Sequence, residues 1–295
     1  MTPAMERFLD RFVRPYEDPD TRVQLLARSL RDSAMLGFRY DERLTLTATE
    51  AFERRRGNCV AYANLVVAMA RASGLKARYQ EIRRVSAWDG TEDVVLIPKH
   101  INVVVETPRR SYVLDASGLG TDPSDLRRRM SDADALSAYH NNLGAEALLA
   151  RDLAAAYGQL ARAIEVAPRR ADPWINLGVV LGRNAQYGEA ETAYLSALAR
   201  DDDAISARSN LYEIYRAAGD DARADEMARQ VERYRLRNPY HLLFLAETAL
   251  EEGRTDQALG LLRRSIALKP EEARFHAALA RAQGQQGTGI EPVSR

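Results

Sequence analysis

The stretch ADPWINLGVVLGRNAQYGEAETAYLSALARDDDA, residues 171–204, is one copy of a 34-residue pattern that runs through the C-terminal half of the chain. Registers beginning at Ser137, Ala171, Ile205 and Pro239 place Leu143, Leu177, Leu211 and Leu245 at the seventh position. The eighth position holds Gly144, Gly178, Tyr212 and Ala246, and the twentieth Ala156, Ala190, Ala224 and Ala258. Larger side chains fall mostly at the twenty-fourth, with Leu160, Tyr194, Ala228 and Leu262. Small residues at the eighth and twentieth positions allow two antiparallel helices to approach closely. Pro168 and Pro270 at the thirty-second position stop the second helix of their units. A fixed period of this length is the mark of a stacked helical array. The half unit 273–286 reads as the solvent-facing cap helix that such arrays require.

This pattern resembles the tetratricopeptide repeat. Trp174, Leu177, Gly178, Ala190, Tyr194 and Ala197 make the second unit the clearest copy, whereas the third departs from it at Tyr212. The resemblance implies an all-α solenoid over residues 131–295, with four units starting near 137, 171, 205 and 239. Its concave groove would present Asn141, Ile175, Ser209 and Leu243 at the fifth position of each first helix. Ala145, Val179, Glu213 and Glu247 follow at the ninth. The paired lysine and asparagine by which some such domains hold a C-terminal carboxylate are missing from these positions. The expected partner is a protein or peptide taken up through apolar pockets, or the N-terminal domain itself.

Residues 1–130 lack the period and read as a separate α+β domain. Amphipathic helices are expected at 4–14 and 20–34. Thr47-Ala48-Thr49-Glu50 is a capping box, Gly57 a break, and Asn58 the start of a helix running to about Ala72. Strand-like segments follow at Ala77–Val85, Ile101–Glu106 and Tyr112–Asp115, with Pro108-Arg109-Arg110 as the turn between the last two. The arginine-rich stretch from Asp125 to Asp134 reads as a linker.

Cys59 is the single cysteine of the chain, so intrachain disulfides and multi-cysteine metal sites are excluded. It falls in the first turn of its helix, where unpaired backbone N–H groups and the helix dipole favour a thiolate. A nucleophilic thiol needs a general base, and the base needs a group that fixes its tautomer. His100 is the histidine of the N-terminal half, and Asp115 ends the strand after its own. Pairing of those two strands as a hairpin would bring His100 and Asp115 to one edge. The bland alternatives are a small buried cysteine, a hydrogen-bonded structural histidine and a turn-forming aspartate.

The segment RGNCVAYA at 56–63, continuing to RASGLKAR at 71–78, resembles the nucleophile segment of the transglutaminase-like superfamily. His100 and Tyr112-Val113-Leu114-Asp115 follow in that family's order. The resemblance runs from Thr47 to Ser117. It implies a papain-like site in which Cys59 attacks an amide carbonyl, His100 carries the proton and Asp115 orients His100. The backbone N–H of Cys59 would be one oxyanion donor. The family often has an aromatic residue around this histidine, whereas Ile101 and Asn102 follow here. The second donor is therefore unassigned, with Trp88 and Tyr62 as candidates. Glu50, Asn102 and Trp88 otherwise read as structural.

The expected activity is that of a cysteine hydrolase or acyltransferase acting on a protein or peptide recruited by the repeats. The alternative is a non-catalytic scaffold whose cysteine domain is degenerate. The 42 basic and 42 acidic side chains cancel, which argues against a broad phosphate-binding surface and so against nucleic acid. There is no glycine-rich phosphate loop, and His140, His241 and His276 fall in repeat helices without carboxylate arrays. No cofactor and no metal are expected. No apolar run is long enough for a membrane span and no signal peptide is visible. A cytoplasmic setting is expected by default, or a periplasmic one if a leader was removed.

Overall fold

The computed structural model describes residues 1–83, 99–117 and 125–287, with side chains described to 284. The described chain runs α1 (Pro3–Phe12), α2 (Pro19–Arg31), β1 (Arg39–Tyr40), α3 (Ala48–Arg54), β2 (Arg56–Gly57) and α4 (Cys59–Ala72). Four strands follow: β3 (Lys76–Arg83), β4 (Lys99–Glu106), β5 (Ser111–Leu114) and β6 (Leu126–Arg129). From there on it is helical. The hairpins are α5 (Asp132–Leu149) with α6 (Leu153–Val166), α7 (Asp172–Arg183) with α8 (Tyr187–Leu198), α9 (Ile205–Ala217) with α10 (Asp221–Arg235), and α11 (Pro239–Glu251) with α12 (Thr255–Leu268); α13 (Ala273–Gly287) closes the series. No described helix is long and apolar enough to cross a membrane.

The fold is an α+β domain followed by tetratricopeptide-type hairpins. Its sheet is antiparallel throughout, in the order β5-β4-β3-β6. The Thr107 N–H donates to the Arg110 carbonyl at 2.9 Å, closing the turn that sets Val103 opposite Leu114 and Val105 opposite Tyr112. Ala77, Ile101, Val103, Val105 and Leu114 join one core with Val60, Ala63, Val66, Val67 and Ala70 of α4. The alanines on that helix let it lie close to the strands.

Two features differ from the sequence reading. Residues 126–129, Leu-Arg-Arg-Arg, form the edge strand β6 rather than a linker, pairing with β3 from Gln80↔Arg129 to Arg83↔Leu126. All four are exposed, so no alternation of apolar and polar residues marks the strand. Charges on such an edge discourage pairing with another chain. The second is a two-residue parallel pair, Arg39↔Arg56 and Tyr40↔Gly57, which ties the chain before α3 to the chain entering α4.

Two compact units partition the chain. One holds Met1–Arg84 with Lys99–Asp202, and the C-terminal repeats from Asp203 belong to the other. In the first unit the repeat geometry has an atomic cause. A Cβ on Gly178 would stand 2.5 Å from the Tyr194 ring, and one on Gly144 2.7 Å from Leu160 Cγ. The eighth and twenty-fourth positions thus meet across each of these two hairpins. In the second unit Phe275, Ala278 and Ala282 of α13 are fully buried, as a closing helix requires.

Candidate active site

The local sequence places Cys59 by capping. Asn58 Oδ1 accepts from the Ala61 N–H at 3.0 Å, which starts α4 at Cys59. The buried Asn58 amide in turn donates to Thr45 Oγ1 at 2.7 Å, and the Thr45 N–H donates to Glu146 Oε1 of α5 at 3.0 Å. Gly57 is required by space, since a Cβ there would lie 2.5 Å from the Ala61 Cβ. Cys59 itself is half-buried against the domain core.

The β4–β5 hairpin delivers the other two groups. His100 Nε2 lies 2.6 Å from Asp115 Oδ2, and Cys59 is near enough to the ring to act on its pKa. Of the three side chains read from the sequence, His100 and Asp115 are in direct contact, and Cys59 lies close by at the start of α4. Asp115 is fixed from its other side. Its Oδ1 accepts from the Ser117 N–H at 2.8 Å and from Ser117 Oγ at 2.7 Å.

The electrostatics follow from those contacts. Burial opposes a charged imidazole, but the bond to Asp115 and the contacts with Cys59 outweigh it and push the His100 pKa up to about 9. Asp115 is likewise opposed by burial, yet His100 and Ser117 hold its carboxyl below the usual carboxylate range. Near neutral pH His100 is an imidazolium between an anionic aspartate and the sulfur.

Residues 6–104 match the Transglutaminase-like superfamily, a span that includes Cys59 and His100 and stops short of Asp115. The N-terminal domain is transglutaminase-like. No curated protein matches the chain. Among solved structures, a MamA from Desulfovibrio magneticus RS-1 is 14% identical, covering 54% of this chain and 88% of that one, with a TM-score of 0.33. A structure of pilF from Pseudomonas aeruginosa is 18% identical over 53% of this chain and 72% of its own, at 0.34. The Arabidopsis OM64 TPR domain is 13% identical over 52% and 98%, at 0.28. At these TM-scores nothing about this chain follows from the three.

Around the transglutaminase-like site, the remaining candidates separate. Tyr62 is buried and packed on Phe38 with ring centroids 5.0 Å apart, a core position. Trp88 lies outside the described residues. Asn102, two residues along β4 from His100, is fully buried, and its amide oxygen and nitrogen have no hydrogen-bond partner. Of the other histidines, His140 Nδ1 meets Gln159 Oε1 at 2.8 Å and His276 Nε2 meets the Pro270 carbonyl at 2.7 Å.

The sequence reading missed two residues here. Ser117 had a local signal, because Asp-Ala-Ser is a turn in which an aspartate accepts from the N–H two residues on. Tyr40 had none. Burial first, and then the neighbouring Cys59, Glu42 and Asp115, push its hydroxyl up to about 12, so it keeps its proton.

Proposed function

We propose that the protein is a thiol-dependent amide hydrolase or acyltransferase acting on a protein or peptide substrate, with Cys59 as nucleophile, His100 as acid and base, and Asp115 as the group that orients His100. The observation that supports this reading is the His100 ring, 2.6 Å from Asp115 and near enough to Cys59 for the thiol to act on its pKa. In the acylation step the Cys59 sulfur attacks the amide carbon. The C–S bond forms while the carbonyl π pair moves onto oxygen. As the first residue of α4, Cys59 has a backbone N–H without an intrahelical acceptor, so that N–H can donate to the oxyanion. Collapse breaks the C–N bond, and the imidazolium of His100 gives its proton to the departing nitrogen. The thioester then meets water or an amine, from which His100 takes a proton back. An acid or a new amide leaves and the thiolate is restored.

The repeats fit a recruiting role. Among the described residues none of the repeat side chains is one of the proposed catalytic groups, and binding energy from remote parts of a substrate can drive chemistry elsewhere.

A panel of p-nitrophenyl acyl esters tests the reading without knowledge of the natural substrate. The expected result is a hydroxylamine-labile mass adduct on Cys59 of the folded protein, with p-nitrophenol released over repeated turnovers. Cys59→Ala should abolish the adduct, and His100→Ala should slow its formation at least tenfold. A folded protein that takes no acyl group, while the urea-unfolded chain labels readily, would leave the non-catalytic scaffold as the better reading.

A further inference from the structure

Beside the cysteine segment lies a cavity of about 750 Å³. Its wall carries Arg39, Arg54, Arg55 and Arg56 against Asp41 and Glu42. The chain as a whole is neutral, so this local excess of positive charge is a property of the site. The two acids cancel only part of it. Asp41 is taken by Arg56 at 2.5 Å, and Glu42 lies 3.8 Å from Arg43, outside the cavity wall. Arg54 comes no nearer than 4.0 Å to Glu50. Arg39 and Arg55 are exposed and make no ion pair among the described residues.

The cavity is tied to the nucleophile by backbone. The Arg39 N–H donates to the Arg55 carbonyl at 2.9 Å and the Asp41 N–H to the Gly57 carbonyl at 3.0 Å. Tyr40 faces Gly57 in the parallel pair, two residues before Cys59. Arg56 of the wall is three residues from Cys59 in the chain, so their Cα atoms are at most about 11 Å apart, within the reach of a few residues of an extended peptide.

We propose that this cavity is the subsite for the acyl donor and that it selects peptides bearing carboxylate side chains next to the amide attacked by Cys59. The proposal rests on the thiol reading given above and adds the substrate class to it. Arginine suits the task because its planar fork can take a carboxylate through two N–H groups at once.

Alkylation of Cys59 tests both levels, since this is the chain's only cysteine and each event forms one S–C bond with loss of iodide. The readout is the ratio of the rate with iodoacetate, an anion, to the rate with iodoacetamide, its neutral counterpart. His100 raises this ratio equally in all variants that retain it. The ratio should fall at least threefold in Arg39→Glu/Arg55→Glu and by less in Arg39→Gln/Arg55→Gln. Salt at about 0.5 M should narrow the difference. Hexaglutamate should slow iodoacetamide labelling of the unsubstituted protein, and hexalysine should not. A ratio that is the same in all three proteins, or equal protection by both peptides, overturns the subsite. Failure of the parent reading looks different: the unsubstituted protein's thiol would be inert to iodoacetamide, or its rate would ignore His100→Ala, and the subsite would fall with it.

Discussion

Ser117 shows how much of this site hangs on groups that never meet a substrate. Its hydroxyl and backbone N–H both hold Asp115 Oδ1, leaving Oδ2 for His100. Ser117→Ala removes one of those two donors at a cost of about 1 kcal/mol in positioning. Esterase turnover should therefore drop roughly fivefold, with the acidic limb of its pH profile displaced, whereas a merely structural serine would leave the profile unmoved. His100 makes a separate prediction through stability. Its folded pKa stands above the ordinary 6.5, at about 9. The charged ring therefore stabilises the fold fully below about pH 6.5, and this contribution is lost as pH rises through 9. Relative to His100→Gln, the unsubstituted protein should lose roughly 2–4 kcal/mol of unfolding free energy between about pH 6 and pH 9.5. Parallel urea curves for the two proteins across that range would exclude a charged His100. The Asp115 contribution has the opposite sense: it is present above the ordinary carboxylate range and fades as acid titrates its lowered group. The placement of Cys59, His100 and Asp115 was legible in the sequence because each lies at the end or start of an element. Ser117 had only its Asp-Ala-Ser turn to mark it, and Tyr40 sits in a two-residue strand pair that carries no periodicity.

At the scale of elements, what could be read ahead was what one residue's size or cap decides. Gly178 and Tyr194 share a hairpin because a glycine at the eighth position leaves room for a ring at the twenty-fourth. Alanine would gain about 1 kcal/mol of helix propensity at Gly178. Its Cβ would also stand 2.5 Å from a ring that is itself buried, and overpacking of that kind costs about 1–3 kcal/mol. The second effect wins. Gly178→Ala should lower the urea midpoint, whereas Gly182→Ala, with nothing within 4 Å of its Cβ, should raise or keep it. The edge strand β6 escaped the reading for a physical reason. Its four residues bury no face, and only their backbone pairing with β3 makes them a strand. The cap of α4 was legible in Asn58, but its support was not. That support runs through Thr45 to Glu146 on the first repeat helix, 101 residues away from Thr45 in sequence.

At the scale of the molecule, that same link raises the question of how far the α+β domain depends on the helices after it. The 34-residue period marks a break at Ser137, yet the compact unit holding the cysteine extends to Asp202. Charged groups make the connection. Arg71 pairs with Asp132 through two bonds of 2.7 and 2.9 Å, Lys99 pairs with Asp172, and Arg83 meets Asp201 at 2.7 Å. The most buried pair joins Glu81 on β3, with 9% of its side chain exposed, to Arg170 at 2.6 Å, with 6% exposed. Arg170 also meets Asp172 at 2.9 Å. Burial alone would raise the Glu81 carboxyl, but Arg170, Lys99 and Arg128 together hold it below its ordinary range. Exposed pairs such as Arg71–Asp132 contribute roughly 0–1 kcal/mol. The Glu81–Arg170 pair differs, because removing Arg170 leaves the buried Glu81 with only Arg128, at 2.9 Å, as a direct partner. The loss, short of the roughly 3–5 kcal/mol of a wholly unpaired buried charge, is about 1.5–3 kcal/mol. Arg170→Met should therefore destabilise the full chain by that order, and Glu81→Met/Arg170→Met should recover most of it, as measured by urea unfolding of the four proteins of the cycle. Full additivity of the two single losses would mean that the pair is not coupled. The link between the α+β domain and the first repeats would then rest on Thr45–Glu146, Lys99–Asp172 and Arg83–Asp201, and a chain cut at Ser137 should still be less stable than one cut after Asp202.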